Sequence, residues 1–382
     1  MNRLIYITGS RAEYGLMQLT LKRLDKEFDL QLIVTGMHLS SLFGKTINEI
    51  KKDKIKIAAE IDILTDDTGK GMALALGKGI TGMAKIFNKI KPDMVLVFGD
   101  RAEPLAGAIA GAYLNIPVAH IHGGDQGDAG VHIDDMVRHA ITKFSHLHLP
   151  ATKKSAERIK KMGEEAWRIH IVGSPGIEAI LKEKLLSKTQ LEKKYHLNFH
   201  QPLLLVVQHP VLTQADQAPS QIKETLAALT QLRWQTVLIY PNADAGGQAM
   251  IKVIQEYKNQ PWLQTYESLS RKDYLSLMKQ ALAIVGNSSS ATIEAPALKI
   301  PAVNIGDRES EREGGNNKLY VGYRKEQIVN AIKKIKNNKQ LRLKLVNASH
   351  PYTESQTSVK ITQTIKKFIN QKERLLRKQL TI

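Results

Sequence analysis

Two short segments hold an unusual density of groups that bind or move protons. His120-Ile-His-Gly-Gly-Asp-Gln-Gly-Asp128 follows the apolar run Pro117-Val118-Ala119, and Ile133-Asp-Asp-Met-Val-Arg-His139 comes soon after. Imidazoles and carboxylates crowd around glycines where a buried strand meets a loop. Unused charge is rare at such a place, so the segment points to acid–base chemistry. His120 and His122 have i, i+2 spacing and point the same way if the strand runs through both. With Asp125, Asp128 and His132 they could hold a metal, but no helical HExxH pair or other recognised metal spacing is present. Acid–base work or the binding of sugar hydroxyls is the better reading, and no metal is expected. Asp134 and Arg138 lie four apart on one helix face, a spacing that also describes an ordinary surface ion pair.

Further candidates follow other strand-like runs, where open α/β sheets bind their ligands. Gly9-Ser-Arg-Ala-Glu-Tyr-Gly15 places Arg11 at a helix start, beside free backbone N–H groups that suit an anion. The segment lacks GxGxxG, so a dinucleotide is not expected and no cofactor is implied. Asp100, in Gly99-Asp-Arg-Ala-Glu103, sits in the same kind of position; it could cap the next helix, face a cleft, or do both. His209, in Val207-Gln-His-Pro210, repeats the pattern in the second half. Gly286-Asn-Ser-Ser-Ser-Ala-Thr-Ile-Glu-Ala-Pro296 is stronger. A glycine turn, the hydroxyls of Ser288, Ser289 and Ser290, and a helix N-terminus make a phosphate cradle. Glu294, one or two turns on, could accept hydrogen bonds from ribose hydroxyls. Arg308 and Arg312 follow the next strand and could add positive charge, although a solvated charged loop has the same composition.

The elements that must position these groups alternate. Strands are predicted at Leu4–Thr8, Leu30–Thr35, Met94–Phe98, Val118–Ile121, Leu147–Leu149 and Ile169–Val172, with helices at Tyr14–Phe28, Met72–Lys91 and Ala102–Leu114. The strands are near-continuous Val/Ile/Leu runs, as parallel strands covered on both faces require. A boundary is expected near Gly173-Ser-Pro-Gly176. A second series then opens, with strands at Leu203–Val207, Thr236–Tyr240, Leu282–Val285 and Ala302–Ile305 and helices at Gln221–Leu232 and Tyr274–Gln280. The reading is an α/β protein of two doubly wound domains facing a cleft, 1–173 and 174–358. A final basic helix in 359–382 is expected to pack back on the N-terminal domain.

Composition narrows the partners. With 382 residues, two domains are the prior. There are no cysteines, which excludes disulfides and thiolate chemistry. Net charge is +18, from 55 Lys+Arg against 37 Asp+Glu, which favours an anionic partner. Aromatics are only 5% and no basic stripe interleaves with them, so a nucleotide-linked substrate is preferred to nucleic acid. No signal-peptide layout opens the chain and no apolar run approaches the roughly 20 residues of a membrane span. A cytoplasmic protein without membrane contact is the expectation.

Taken together, GSRAEYG, FGDRAE, HIHGGD, IDDMVRHAITKFSH, VGSPG, QHPV, GNSSSATIEAP and NIGDRESERE resemble the motifs of the UDP-N-acetylglucosamine 2-epimerase family, in its hydrolysing branch. That branch makes N-acetylmannosamine or a related sugar for sialic or legionaminic acid synthesis. The resemblance runs in order from about residue 8 to 315. It implies a GT-B-like pair of Rossmann-type domains with a UDP-sugar between them, a homodimer, and no cofactor. By this resemblance Arg11, Ser288, Ser289, Ser290, Glu294 and Arg312 hold UDP, while Asp100, Asp134, Arg138 and His209 fall on active-site positions. His122 departs from the glutamate that many members carry in HVEAG or HVEGG; some hydrolysing relatives have histidine. The reaction expected is release of UDP, or of GDP from a GDP-linked sugar, from C1 with loss of the C2 proton, through a 2-acetamidoglycal. Two other readings remain at this stage: a GT-B-type glycosyltransferase, which needs an acceptor, and a non-enzymatic anion or nucleic-acid binder.

Overall fold

The computed structural model of the protein describes residues 1–127, 133–309, 313–348, 351–352 and 356–381. Asp128, His132 and Arg312, named above, lie outside the described residues.

Apolar runs become the centres of two sheets. The first contains β1 (Arg3–Thr8), β2 (Asp29–Thr35), β3 (Lys56–Ile61), β4 (Met94–Phe98), β5 (Val118–Ile121) and β6 (Leu147–Leu149), in the order β3-β2-β1-β4-β5-β6. The second contains β7 (Leu203–Val207), β8 (Gln235–Ile239), β9 (Leu263–Tyr266), β10 (Ala283–Gly286), β11 (Ala302–Ile305) and β12 (Lys318–Val321), in the order β12-β11-β10-β7-β8-β9. Every pairing is parallel. Counted from its own first strand, each sheet has the order 3-2-1-4-5-6, so one doubly wound plan occurs twice. Its consequence is geometric. In each sheet the chain reverses its direction of winding between the first and fourth strands, opening a crevice there at their carboxyl ends. The crevices lie between β1 and β4, and between β7 and β10.

Both faces of each sheet are covered. Leu4, Tyr6, Leu30, Leu32, Leu96 and Ala119 pack on one side of the first sheet, and Ile5, Ile7, Ile33, Val95, Val97 and Val118 on the other. This alternation within uniformly apolar strands is what a sheet buried on both sides demands. The chain passes to the second lobe through the helix Pro175–Lys182 and returns into the helix Thr357–Phe368. Buried Glu178 ties the two passages, its carboxylate accepting from the backbone N–H (2.5 Å) and Oγ (2.9 Å) of Ser358. Among the described residues no helix is long and apolar enough to cross a membrane.

Two expectations are corrected. Ile169–Val172 is not a strand; only the bridge from His148 to Ile169 forms. The chain there still runs beside β6, with His170 N–H donating to His148 O (2.9 Å) and Val172 N–H to Pro150 O (3.0 Å), but Pro150 has no N–H to complete the next ladder step, and the left-handed turn at Gly173 (φ 90°) then starts the crossover. The C-terminal segment is not one helix but two, Thr357–Phe368 and Lys372–Leu376. Ile361, Ile365, Phe368, Ile369 and Leu375 all join the core built on β1 and β4. A straight helix of some 22 residues would run about 33 Å past that core, whereas the break returns Leu375 to it.

Candidate functional site

The carboxyl ends of both sheets open onto one cleft, lined by Arg11, Asp100, His122, Asp134, His209, Ser288, Ser289, Ser290, Glu294 and Arg308. Each of these was singled out by sequence, and the topology explains their meeting. Arg11 follows β1 and Asp100 follows β4, at the first crevice; His209 follows β7 and the serines follow β10, at the second. Among the described residues no group of three or more His, Asp or Glu is placed to hold a metal ion.

The second crevice gathers groups that can cradle an anion. Ser288 caps the helix Ser289–Ala297, accepting from Ser290 N–H, and its Oγ lies 3.0 Å from Ser290 Oγ. Tyr274 Oη also meets Ser290 Oγ, which fixes the hydroxyls around the free N–H groups of the first turn. Gly286 closes β10 with φ 132°; a Cβ there would come within 2.0 Å of Val207 O on β7. Buried Asn287 stitches the crevice, accepting from His209 N–H (2.7 Å) and donating to His209 O (2.9 Å). Arg11 reaches over from the first lobe and donates to Ser268 Oγ (3.0 Å). Glu294 is paired with Arg271, a buried guanidinium that also donates to Gly176 O (3.3 Å). That ion pair fixes the carboxylate's orientation toward the cleft.

The tautomer of His209 is fixed by its surroundings. The backbone N–H of Asn242 donates to its Nδ1 (3.1 Å), which places the ring proton on Nε2. Burial, reinforced by Arg308 nearby, pulls its pKa down to about 3. The ring is therefore a neutral N–H donor at working pH, not an imidazolium.

The carboxylates are set by a web of arginines. Arg138 is 1% exposed and does not line the cleft itself. It lies behind it, binding Asp100 and Asp135 and donating to Asp125 O (3.1 Å), while Asp135 accepts from Gly127 N–H (2.9 Å). Arg138 is thus a positioning residue for Asp100 and the glycine loop. Asp134 instead meets the second lobe: Arg308 Nη2 donates to it (3.0 Å) while Nη1 donates to Asn287 O (3.0 Å). Arg101 spans the lobes too, lying 3.4 Å from Glu103 and 3.3 Å from Asp244. Burial works against its charge but is outweighed by Glu103, Asp244, Asp134 and Asp100, so its pKa rises.

The histidine pair separates. β5 ends at Ile121, and His122 takes the left-handed conformation (φ 65°), so the two rings do not share a direction. His122 lines the cleft between Phe98 (centroids 5.5 Å) and Tyr352 (6.0 Å), with Asp125 3.8 Å from its Nδ1. His120 is fully buried. Its Nε2 meets Gly99 O (2.8 Å) and its Nδ1 the Thr142 hydroxyl (3.2 Å). Burial drives its pKa down to about 3, so it is a neutral strut that holds the turn presenting Asp100.

Sequence reasoning passed over Arg101, Asn287, Arg271 and Glu13. The first two stand inside motifs already quoted, next to Asp100 and Ser288, and their adjacency was the available signal. Glu13 accepts from Thr8 Oγ1 (2.7 Å), and burial pushes its carboxyl well above the usual range. Arg271 carries no local signal beyond opening a helix.

Low pH should unfold the protein early. His38, His120 and His209 are held down to about 3 and His146 to about 4, burial being the first cause in each. Unfolded, each titrates near 6.5. Between pH 6.5 and those lower values the unfolded chain binds more protons, so stability present above 6.5 is lost as pH falls. Each histidine contributes a slope of about 1.4 kcal/mol per pH unit. Urea midpoints measured from pH 7.5 to 4.5 should fall steeply below 6.5, and His120→Asn should flatten that slope.

The sequence model of the family described as UDP-N-acetylglucosamine 2-epimerase matches residues 22–366. The chain belongs to the UDP-N-acetylglucosamine 2-epimerase family. It is 36% identical over 369 residues to the UDP-N,N'-diacetylbacillosamine 2-epimerase (hydrolyzing) of Legionella pneumophila, covering 96% of both chains. It is 34% identical over 316 residues to the GDP/UDP-N,N'-diacetylbacillosamine 2-epimerase (hydrolyzing) of Campylobacter jejuni, covering 81% of this chain and 82% of that one. Its fold is similar to the crystal structure of UDP-GlcNAc 2-epimerase from Neisseria meningitidis bound to UDP-GlcNAc, with TM-score 0.79, 18% identity, and coverage of 96% and 100%. The two doubly wound lobes around a cleft are the GT-B-like arrangement anticipated for this epimerase family.

Proposed function

We propose that the protein is a hydrolysing 2-epimerase of a nucleotide-linked N-acetyl sugar, converting it with water to free nucleoside diphosphate and the 2-epimer. The observation that carries this reading is the meeting of an anion cradle with paired carboxylates across one cleft. The serine-capped helix, Arg11 and Arg308 receive the diphosphate; Asp100 and Asp134 line the same cleft.

The C2 proton of an N-acetylhexosamine is weakly acidic. Its removal becomes feasible when the C1–O bond breaks at the same time: the C2–H electron pair becomes the C1=C2 double bond and the diphosphate leaves with the C1–O pair. No free carbanion then accumulates. Arg308, the helix N–H groups and the neutral Nε2–H of His209 stabilise the charge developing on the leaving oxygen. Water next adds its oxygen to C1 of the 2-acetamidoglycal, and a proton is delivered to C2 on the opposite face. Inversion requires proton-transfer groups on both faces of the ring, supplied by Asp100, Asp134 and His122. Arg138 holds Asp100 in place. Closure of the two lobes excludes water until the second step.

The sugar is UDP-N-acetylglucosamine or a diacetylbacillosamine-type analogue, and the product feeds sialic or legionaminic acid synthesis. The enzyme works as a cytoplasmic homodimer. Chromatography of the protein with each UDP-sugar and no acceptor tests the reading. Free UDP and the 2-epimer are expected. Turnover that appears only when an acceptor is added contradicts it in favour of a glycosyltransferase.

A further inference from the structure

The helix Ile133–Phe144 carries Asp134, Asp135 and Arg138 near its N-terminal end, so its placement decides where the cleft carboxylates stand. Its other end is held by a group more than two hundred residues away. Lys378 Nζ donates to the carbonyls of Thr142 (3.2 Å), Lys143 (2.8 Å) and Ser145 (2.7 Å), and pairs with Glu164 at 2.8 Å. Those carbonyls include the ones a helix end leaves without intrahelical partners, and they form the negative pole of its dipole. A cation there both satisfies and orients them.

The segment bearing Lys378 is firmly held. Arg168, 0% exposed, donates to Leu375 O (2.7 Å) and Arg377 O (2.8 Å), and Thr381 N–H donates to Gly163 O (2.9 Å). Glu164, also 0% exposed, is gripped in addition by His148 (2.9 Å) and Lys143 (2.7 Å). A second path leaves the same point. Thr142, whose carbonyl Lys378 binds, presents its hydroxyl to His120, and His120 holds the Gly99 carbonyl just before Asp100. Among the described residues, these hydrogen bonds of the C-terminal segment therefore reach the mounting of both carboxylates and not Ser288, Ser289, Ser290, Arg11 or Arg308.

We infer that Lys378 is a positioning residue for proton transfer at C2: through the carbonyl end of the helix Ile133–Phe144 it sets Asp134 and, by way of Thr142 and His120, Asp100. This deepens the function proposed above and rests on it. The test is steady-state release of the nucleoside diphosphate by the full-length protein and its K378M and K378R variants, with folding checked by circular dichroism. Lys378→Met keeps most of the length of the unbranched side chain and removes the cation. Its kcat should fall at least tenfold, with KM for the UDP-sugar and the affinity for UDP within about twofold of wild type. Lys378→Arg keeps the charge but exchanges a compact three-donor tip for a planar fork, and should fall between the two. An unchanged kcat in whichever variant folds overturns the inference. So does a KM that rises as far as kcat falls, which marks general loosening of the cleft. If the wild-type protein releases no diphosphate from any nucleotide sugar, the proposed function itself has failed. A wild type that turns over beside an equally active K378M sinks only the role of Lys378.

Discussion

Replacing Asp100 by asparagine should slow UDP release about 10²- to 10⁴-fold, the range lost when a positioned acid–base group is removed. Asn has nearly the same shape, and Arg138, behind the carboxylate, keeps Asp135 as a charged partner. The fold should survive, and KM should change little, because the diphosphate is held by the serine-capped helix, Arg308 and Arg11 rather than by Asp100. The products identify the step as well as its size. If Asp100 takes the C2 proton, D100N stops both UDP release and exchange at C2. If Asp100 returns the proton on the other face, D100N still releases UDP, more slowly, and free 2-acetamidoglycal appears. Steady-state UDP release together with product chromatography reads both outcomes. A D100N protein with wild-type kcat contradicts the assignment.

Arg308→Met should cost about 10²- to 10³-fold in kcat, as loss of a donor aimed at developing charge does elsewhere. Arg308 has a second task that enlarges the effect. It joins Asp134 of one lobe to Asn287 O of the other, so its removal also releases Asp134 from a fixed partner and weakens closure. The diphosphate is charged before reaction begins, so part of the lost contact is made equally in ground and transition states. KM should therefore rise about tenfold in addition. Arg308→Lys restores charge without the fork that bridges two acceptors, and should recover only part of kcat. Initial rates across UDP-sugar concentration separate the two effects. A variant raised in KM alone would confine Arg308 to simple binding.

The interior of both sheets was plain in the sequence and three of their four edge strands were not. β4, β5, β6, β7 and β11 coincide with their apolar runs because a strand buried on two faces has little freedom of composition. β3, β9 and β12 were missed. Lys56-Ile-Ala-Ala-Glu-Ile61, Leu263-Gln-Thr-Tyr266 and Lys318-Leu-Tyr-Val321 lie at or beside sheet edges, where polar and charged residues protect the open side and erase the apolar signature.

The site was legible as a set of residues but not as a set of roles. Asp100, His209 and the serines announced themselves by following strands, which is a property of the doubly wound plan. What a side chain faces depends on one or two dihedral angles that no spacing encodes. The left-handed turn at His122 separates it from His120 and makes one ring a cleft wall and the other a strut. Arg138 and Asp134 share a helix, yet Arg138 lies behind the cleft, bound to Asp100 and Asp135, while Asp134 reaches Arg308 across it. Contacts between lobes, such as Arg101 with Asp244, join residues over a hundred positions apart and leave no local trace.

The central claim is proton exchange at C2 coupled to departure of a nucleotide from C1. Nuclear magnetic resonance of the sugar formed in deuterium oxide measures it directly. One deuterium at C2, inverted configuration at that carbon, and stoichiometric free UDP are expected. A sugar released with its original C2 hydrogen and unchanged configuration would show plain hydrolysis and contradict it.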